Sequence, residues 1–145
     1  MRFPLILLAL VATAVAIAAP AGAKAPIQIT IQHETHGCHA WSVGNGKASP
    51  AQTLRVHAGT AFTITNNDVM PHTLVQLAGP KVALHVSQTG SMGSMRMGHM
   101  GATTQLTLLK PGTYRFTTKP GEDYPGITVK TTGADNVLHL MVVVV

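Results

Sequence analysis

The chain has 145 residues, with 10 Lys or Arg against 5 Asp or Glu, 8 His, 7 Met and one Cys, and a formal net charge of +5 at pH 7 with histidines neutral. The basic residues are scattered singly, without a basic run or an aromatic stripe, so the charge gives no ground for a nucleic-acid partner. One cysteine cannot close an internal disulfide, which excludes a disulfide-stapled scaffold and leaves Cys38 as a free thiol, an intermolecular bridge or a metal ligand.

The chain opens like a secretory signal. Arg2 gives a positive start, residues 5–19 form an apolar run, and Ala21-Gly22-Ala23 is a small-residue cleavage site. The mature protein is expected to begin at Lys24 and to be periplasmic or secreted. A membrane anchor is the competing reading, but the run is about 15 residues against the ~20 that a bilayer needs, so membrane contact requires the segment to be retained. Residues 24–145 are enough for one domain with a single core.

After the signal, Ile27, Ile29 and Ile31 alternate with Gln28, Thr30 and Gln32, the period of a half-buried strand. It runs into His33-Glu-Thr-His36-Gly-Cys38-His39-Ala-Trp41, three histidines and the sole thiol within seven positions. Imidazole and thiolate at this density suit copper or zinc rather than magnesium or calcium. Residues 42–52 read as loop, and residues 53–57 and 60–65 as a hairpin turning at Ala58-Gly59. Asn66-Asn67-Asp68-Val69-Met70-Pro71-His72 is a turn-rich loop before a strand at 73–78, and a further strand is predicted at 81–86.

Residues 87–102 are glycine-rich and lack periodicity, yet hold Met92, Met95, Met97 and Met100 with His99 among them. Thioethers bind soft Cu(I) and largely ignore zinc, so this stretch is read as a mobile Cu(I)-contacting loop. Strands follow at 104–109, 113–118 and 127–131. The final apolar run, 136–145, ends in four valines and is read as strand rather than helix. The whole is an all-β antiparallel Greek-key sandwich of about eight strands.

If successive strands alternate in direction, the loops 33–52, 66–72, 87–103 and 119–126 share one end. That end collects His33, His36, Cys38, His39, Met70, His72, the methionine stretch, Glu122 and Asp123. His57, His85 and His139 fall within predicted strands and are read as packed or surface histidines; Trp41 is read as core, and Met70 as core filler or axial ligand.

Two motifs resemble the cupredoxin family: Asn66-Asn67-Asp68 through His72-Thr73-Leu74, and Pro111-Gly112-Thr113-Tyr114-Arg115-Phe116. The resemblance implies a blue-copper β-sandwich in which His72 corresponds to a copper-binding histidine. The remaining family ligands do not carry over. Thr118 stands where the family has cysteine, Glu122 or Asp123 falls near its second histidine, and Ile127 near its methionine. The expectation is therefore a relocated site built from Cys38 and His72 with one or two of His36, His39 and His33, and with Glu122 or Asp123 available as carboxylates.

Copper is the expected cofactor, with zinc permitted by the same residues. The expected role is electron transfer or copper holding, with a redox partner or a copper-accepting protein. Two alternatives stand beside it: a copper chaperone delivering Cu(I), and a metal-free sandwich that binds other molecules. No Ser-His-Asp set or Gly-x-Ser-x-Gly elbow supports hydrolysis, so the chain is not expected to be an enzyme.

Overall fold

The structure, a computed structural model, describes residues 24–34, 38–82, 94–126, 128 and 136–145. Among these residues are nine strands: β1 (Ile27–Glu34), β2 (Cys38–Val43), β3 (Ala51–Val56), β4 (Thr60–Asn67), β5 (His72–Ala78), β6 (Ser94–Met97), β7 (Thr103–Leu108), β8 (Gly112–Pro120) and β9 (His139–Val144). They form two sheets, ordered β2-β1-β4-β7 and β3-β9-β8-β5-β6. Most pairings are antiparallel, but β1 pairs with β4 and β3 with β9 in parallel. No helix of the described residues is long and apolar enough to cross a membrane.

Period-2 alternation builds the core. Leu106 and Leu108 of β7 are buried while Gln105 and Thr107 are exposed, and Leu140, Val142 and Val144 do the same on β9. Ile29, Ile31, Trp41, Phe62, Ile64, Leu74, Tyr114 and Phe116 complete the packing between the sheets.

The same alternation changes character at one end. Following each inward row, Ile29 and Ile31 lead to His33, Trp41 leads back to His39, and Phe62 and Ile64 lead to Asn66. Tyr114 and Phe116 lead to Thr118, and Leu74 leads back to His72. The core is thus apolar along most of its length and closes at one end in a buried polar layer. Polar groups removed from water must find partners there, which makes this end a specified network rather than loose packing.

Several sequence expectations are corrected. Residues 38–43 are a strand, so His39 lies on β2 rather than in a loop. The predicted hairpin does not form: β3 pairs with β9 in one sheet while β4 pairs with β1 and β7 in the other. The two runs cross from sheet to sheet at Ala58-Gly59, because each buries its inward row against the opposite layer. Lys81 and Val82 are irregular, and the rest of the strand predicted at 81–86, with His85, lies outside the described residues. The strand predicted at 127–131 is also outside them save Thr128, which is a bend. The last strand starts at His139. The methionine stretch is not wholly a loop, since Ser94–Met97 forms the edge strand β6 against β5.

Gly79 marks the turn after β5. Its φ is +103°, and an added Cβ would come within 2.6 Å of the Thr113 carbonyl oxygen, so both the backbone conformation and the close approach to β8 require glycine.

Candidate metal centre

Asp68 is the hub of the polar layer. Its side chain is fully buried, and its position just past β4 places it between the two sheets. His72 Nε2 donates to Asp68 Oδ2 at 2.6 Å, His33 Nδ1 donates to Oδ1 at 3.0 Å, and the Val69 N–H donates to Oδ1 at 2.7 Å. His39 Nδ1 stands 3.4 Å from Oδ2. His39 and His72 meet edge to face, with ring centroids 4.8 Å apart and planes at 84°.

Local sequence sets this geometry. His33 and His39 are directly opposed across the β1–β2 hairpin, so both rings extend the inward rows of their strands. Asn66 braces the loop after β4: its Oδ1 accepts from the Asp68 N–H at 3.0 Å while its Nδ2 donates to the Met70 carbonyl at 2.9 Å and to the Tyr124 hydroxyl at 3.3 Å. The loop after β8 is fastened to it by Gly121 N–H to Pro71 O at 2.8 Å and Tyr124 N–H to Val69 O at 2.9 Å. At Gly121 a Cβ would lie 2.7 Å from Pro71 Cγ, so a side chain there would push the two loops apart.

Burial alone would push the Asp68 carboxyl up. The hydrogen bond from His72, the Val69 N–H, the charge of His72 and the bond from His33 together outweigh it and hold the carboxyl below the usual carboxylate range. Because the folded value lies below the unfolded one, the unfolded chain binds more protons as the pH falls through this window. The network's contribution is therefore complete above the unfolded value of about 4 and is lost as the pH drops through the folded one. Urea midpoints are expected to fall steeply below about pH 4 in the native chain, and the Asp68→Asn chain should lack that component.

His39 carries the clearest signal for a cation. Its Nε2 lies 2.8 Å from the Asn136 carbonyl oxygen, which can only accept, so Nε2 holds the proton. In neutral imidazole Nδ1 then turns a lone pair toward Asp68 Oδ2. Two lone pairs facing each other in a dry interior repel unless a proton or a metal cation lies between them. Donor atoms of His39, Asp68 and His72 all lie within 4.8 Å of one another. Small shifts would bring them onto bonds of ~2.0–2.2 Å. The set fits a borderline divalent ion such as Cu(II) or Zn(II).

Of the residues read from the sequence, His33, His39 and His72 are brought together. His33 stands outside the three-residue cluster and reaches it through Asp68; its Nε2 is buried with no hydrogen-bond partner among the described residues. Cys38 opens β2 opposite Glu34 in backbone register, and its side chain lies outside the described part. His36 and Met92 also fall outside it, and of Met95 only the backbone pairing with Leu74 is described.

Met97 is corrected: it is a core residue, 1% exposed. Met70 is core as well. His99 and Met100 are exposed on a turn held beside Asn66 by Gly101 N–H to Asn66 O at 2.6 Å. Glu122 is exposed and Asp123 half-buried, and neither belongs to the cluster. The carboxylate of the cluster is Asp68. In the sequence it hides inside an Asn-Asn-Asp turn signal; the clue is that it precedes Val69-Met70-Pro71, an apolar stretch that draws the loop inward. His57 and His139 are surface residues, and Trp41 is fully buried.

No protein-family model matches the chain, and no curated protein matches its sequence. Solved structures resemble it in architecture. A methionine-to-alanine variant of amicyanin in the Cu(I) state is 20% identical, with 86% of this chain and 87% of that one covered and a TM-score of 0.43. A proline-to-glycine variant of amicyanin, in the reduced Cu(I) form at pH 4, is 19% identical over the same shares with a TM-score of 0.44.

Proposed function

We propose that this chain is an exported, cupredoxin-like copper-binding protein that is not an enzyme, with residues 24–145 as its functional domain. The ion is held by His39, Asp68 and His72. The observation that carries the reading is the buried convergence of two imidazoles on one ionised carboxylate, with His39 Nδ1 and Asp68 Oδ2 3.4 Å apart. Bound copper would supply a divalent charge among the three convergent donors, and a redox-active centre.

This donor set bears on the choice between holding and cycling. A carboxylate is a hard ligand that favours Cu(II) over Cu(I), so a site limited to these three residues suits holding. Electron transfer is favoured if the Cys38 thiolate joins it, and Met92, Met95 and Met100 remain candidates for Cu(I) contact outside it. The physiological recipient is a redox partner or a copper-accepting protein.

One equivalent of Cu(II), dialysis, and visible and spin-resonance spectra test the reading. The expected result is retained copper with weak visible absorption, unchanged in Cys38→Ala and lost in His39→Ala. An intense thiolate-to-copper band that vanishes in Cys38→Ala would instead place the thiol in the site and favour the carrier.

One observation favours a second reading. Asp68 already accepts hydrogen bonds from His72, His33 and Val69, so the network can stand as a structural clamp in a metal-free interaction module. Failure of the native chain to retain copper or zinc after dialysis would decide for that module.

A further inference from the structure

Both imidazoles of the cluster are held at the nitrogen remote from Asp68, but not at the same nitrogen. His39 is held through Nε2 by the Asn136 carbonyl at 2.8 Å, and Asn136 Nδ2 returns a bond to the His39 carbonyl at 3.2 Å. His72 is held through Nδ1, which lies 3.2 Å from Thr118 Oγ1, and shows Nε2 to Asp68. We propose that the ion is taken asymmetrically, by Nδ1 of His39 and Nε2 of His72, and that Thr118 is the positioning residue that makes the second of these bonds available. The proposal rests on the metal reading above and specifies its atoms.

The two anchors differ in a way that suits their tasks. A carbonyl only accepts, so Asn136 fixes one tautomer of His39, the one with a lone pair on Nδ1. His72 needs an anchor that serves two tautomers. Without an ion, its Nε2–H is given to Asp68 while Nδ1 meets the Thr118 hydroxyl, which accepts from a protonated Nδ1 and donates to a bare one. With an ion on Nε2, the ring keeps its single proton on Nδ1 and donates it to the same hydroxyl. A hydroxyl can donate or accept by rotating, so Thr118 remains bonded to His72 Nδ1 in both states. Valine, nearly the same shape, can do neither.

The test uses the full chain, ring-labelled with nitrogen-15, and one equivalent of Zn(II) as a diamagnetic probe read by long-range proton–nitrogen correlation spectra. His39 is expected as the Nε2–H form with metal at Nδ1, and His72 as the Nδ1–H form with metal at Nε2. Thr118→Val should weaken Zn(II) binding by about 10–100-fold, the usual cost of removing a partner behind a ligating histidine, and Thr118→Ser should restore it. A purely structural role for Thr118 would leave the His72 nitrogen shifts of the loaded Thr118→Val chain unchanged. Zinc on Nδ1 of His72, or native affinity in Thr118→Val, overturns the proposal while leaving a metal site in place. No zinc binding by the native chain overturns the metal reading itself.

Discussion

Asp68→Ala is expected to destabilise the native fold by about 3–5 kcal/mol at neutral pH, the scale for removing one partner from a buried charge network. The change strips the acceptor from His72 Nε2, His33 Nδ1 and the Val69 N–H at once. His72 Nε2 and the Val69 N–H cannot turn to bulk water without opening the end of the sandwich, and each buried donor left unpaired costs about 1–3 kcal/mol. His72 and Val69 are fully or almost fully buried, which sets the effect apart from surface ion pairs worth about 0–1 kcal/mol. Urea unfolding of the apo chain measures it. A loss under about 1 kcal/mol would mean that water enters the polar layer and that Asp68 is not its hub. Asp68→Asn, which keeps the shape but not the charge, should lose metal retention under conditions where the native chain keeps it.

The sandwich was legible in the sequence wherever one face of a strand is apolar and the other polar. Residues 27–32, 60–65 and 113–118 show this alternation, and each lies in a strand. Strand β2 was not legible for a related reason. Its inward row is His39, Trp41 and Val43, and a histidine at a core-facing position breaks the alternation a reader looks for. The residue that makes the site is thus the one that conceals the strand carrying it. The pairing of β3 was illegible because Ala58-Gly59 is a local signal for a turn and carries nothing about which sheet receives each run.

The candidate site was legible by residue type and not by role. His33, His39 and His72 stood out as ligand types close to loop signals, whereas Asp68 looked like one more turn residue. Carboxylates are mostly exposed, and nothing short of tertiary packing shows that Asn66 and the Tyr124 loop fold this one under. Glu122 and Asp123 attracted notice because strand alternation and the family resemblance both pointed there, yet the structure leaves the first in solvent and the second half-buried.

The methionines divide by burial, and separate substitutions should show it. Met97→Ser is expected to cost about 2–5 kcal/mol, because it empties a core position and places a hydroxyl there. Met97 is 1% exposed, lies opposite His72 in the β5–β6 register, and belongs to the same apolar cluster as Leu74 and Phe116. Its carbonyl also accepts from Asn66 Nδ2 at 3.3 Å, so disorder at β6 would reach the brace behind Asp68. Met100 is 48% exposed on the adjoining turn, and Met100→Ser should change stability by no more than about 0.5 kcal/mol. Replacing the methionines together would therefore confuse lost copper contact with lost folding. The informative comparison is urea unfolding of each single variant beside Cu(I) loading of Met100→Ser, where slower loading at native stability identifies Met100 as a contact. If Met97→Ser unfolds at the native midpoint, the thioether is not part of the core, and Met97 returns to the pool of Cu(I) ligands on this end of the sandwich.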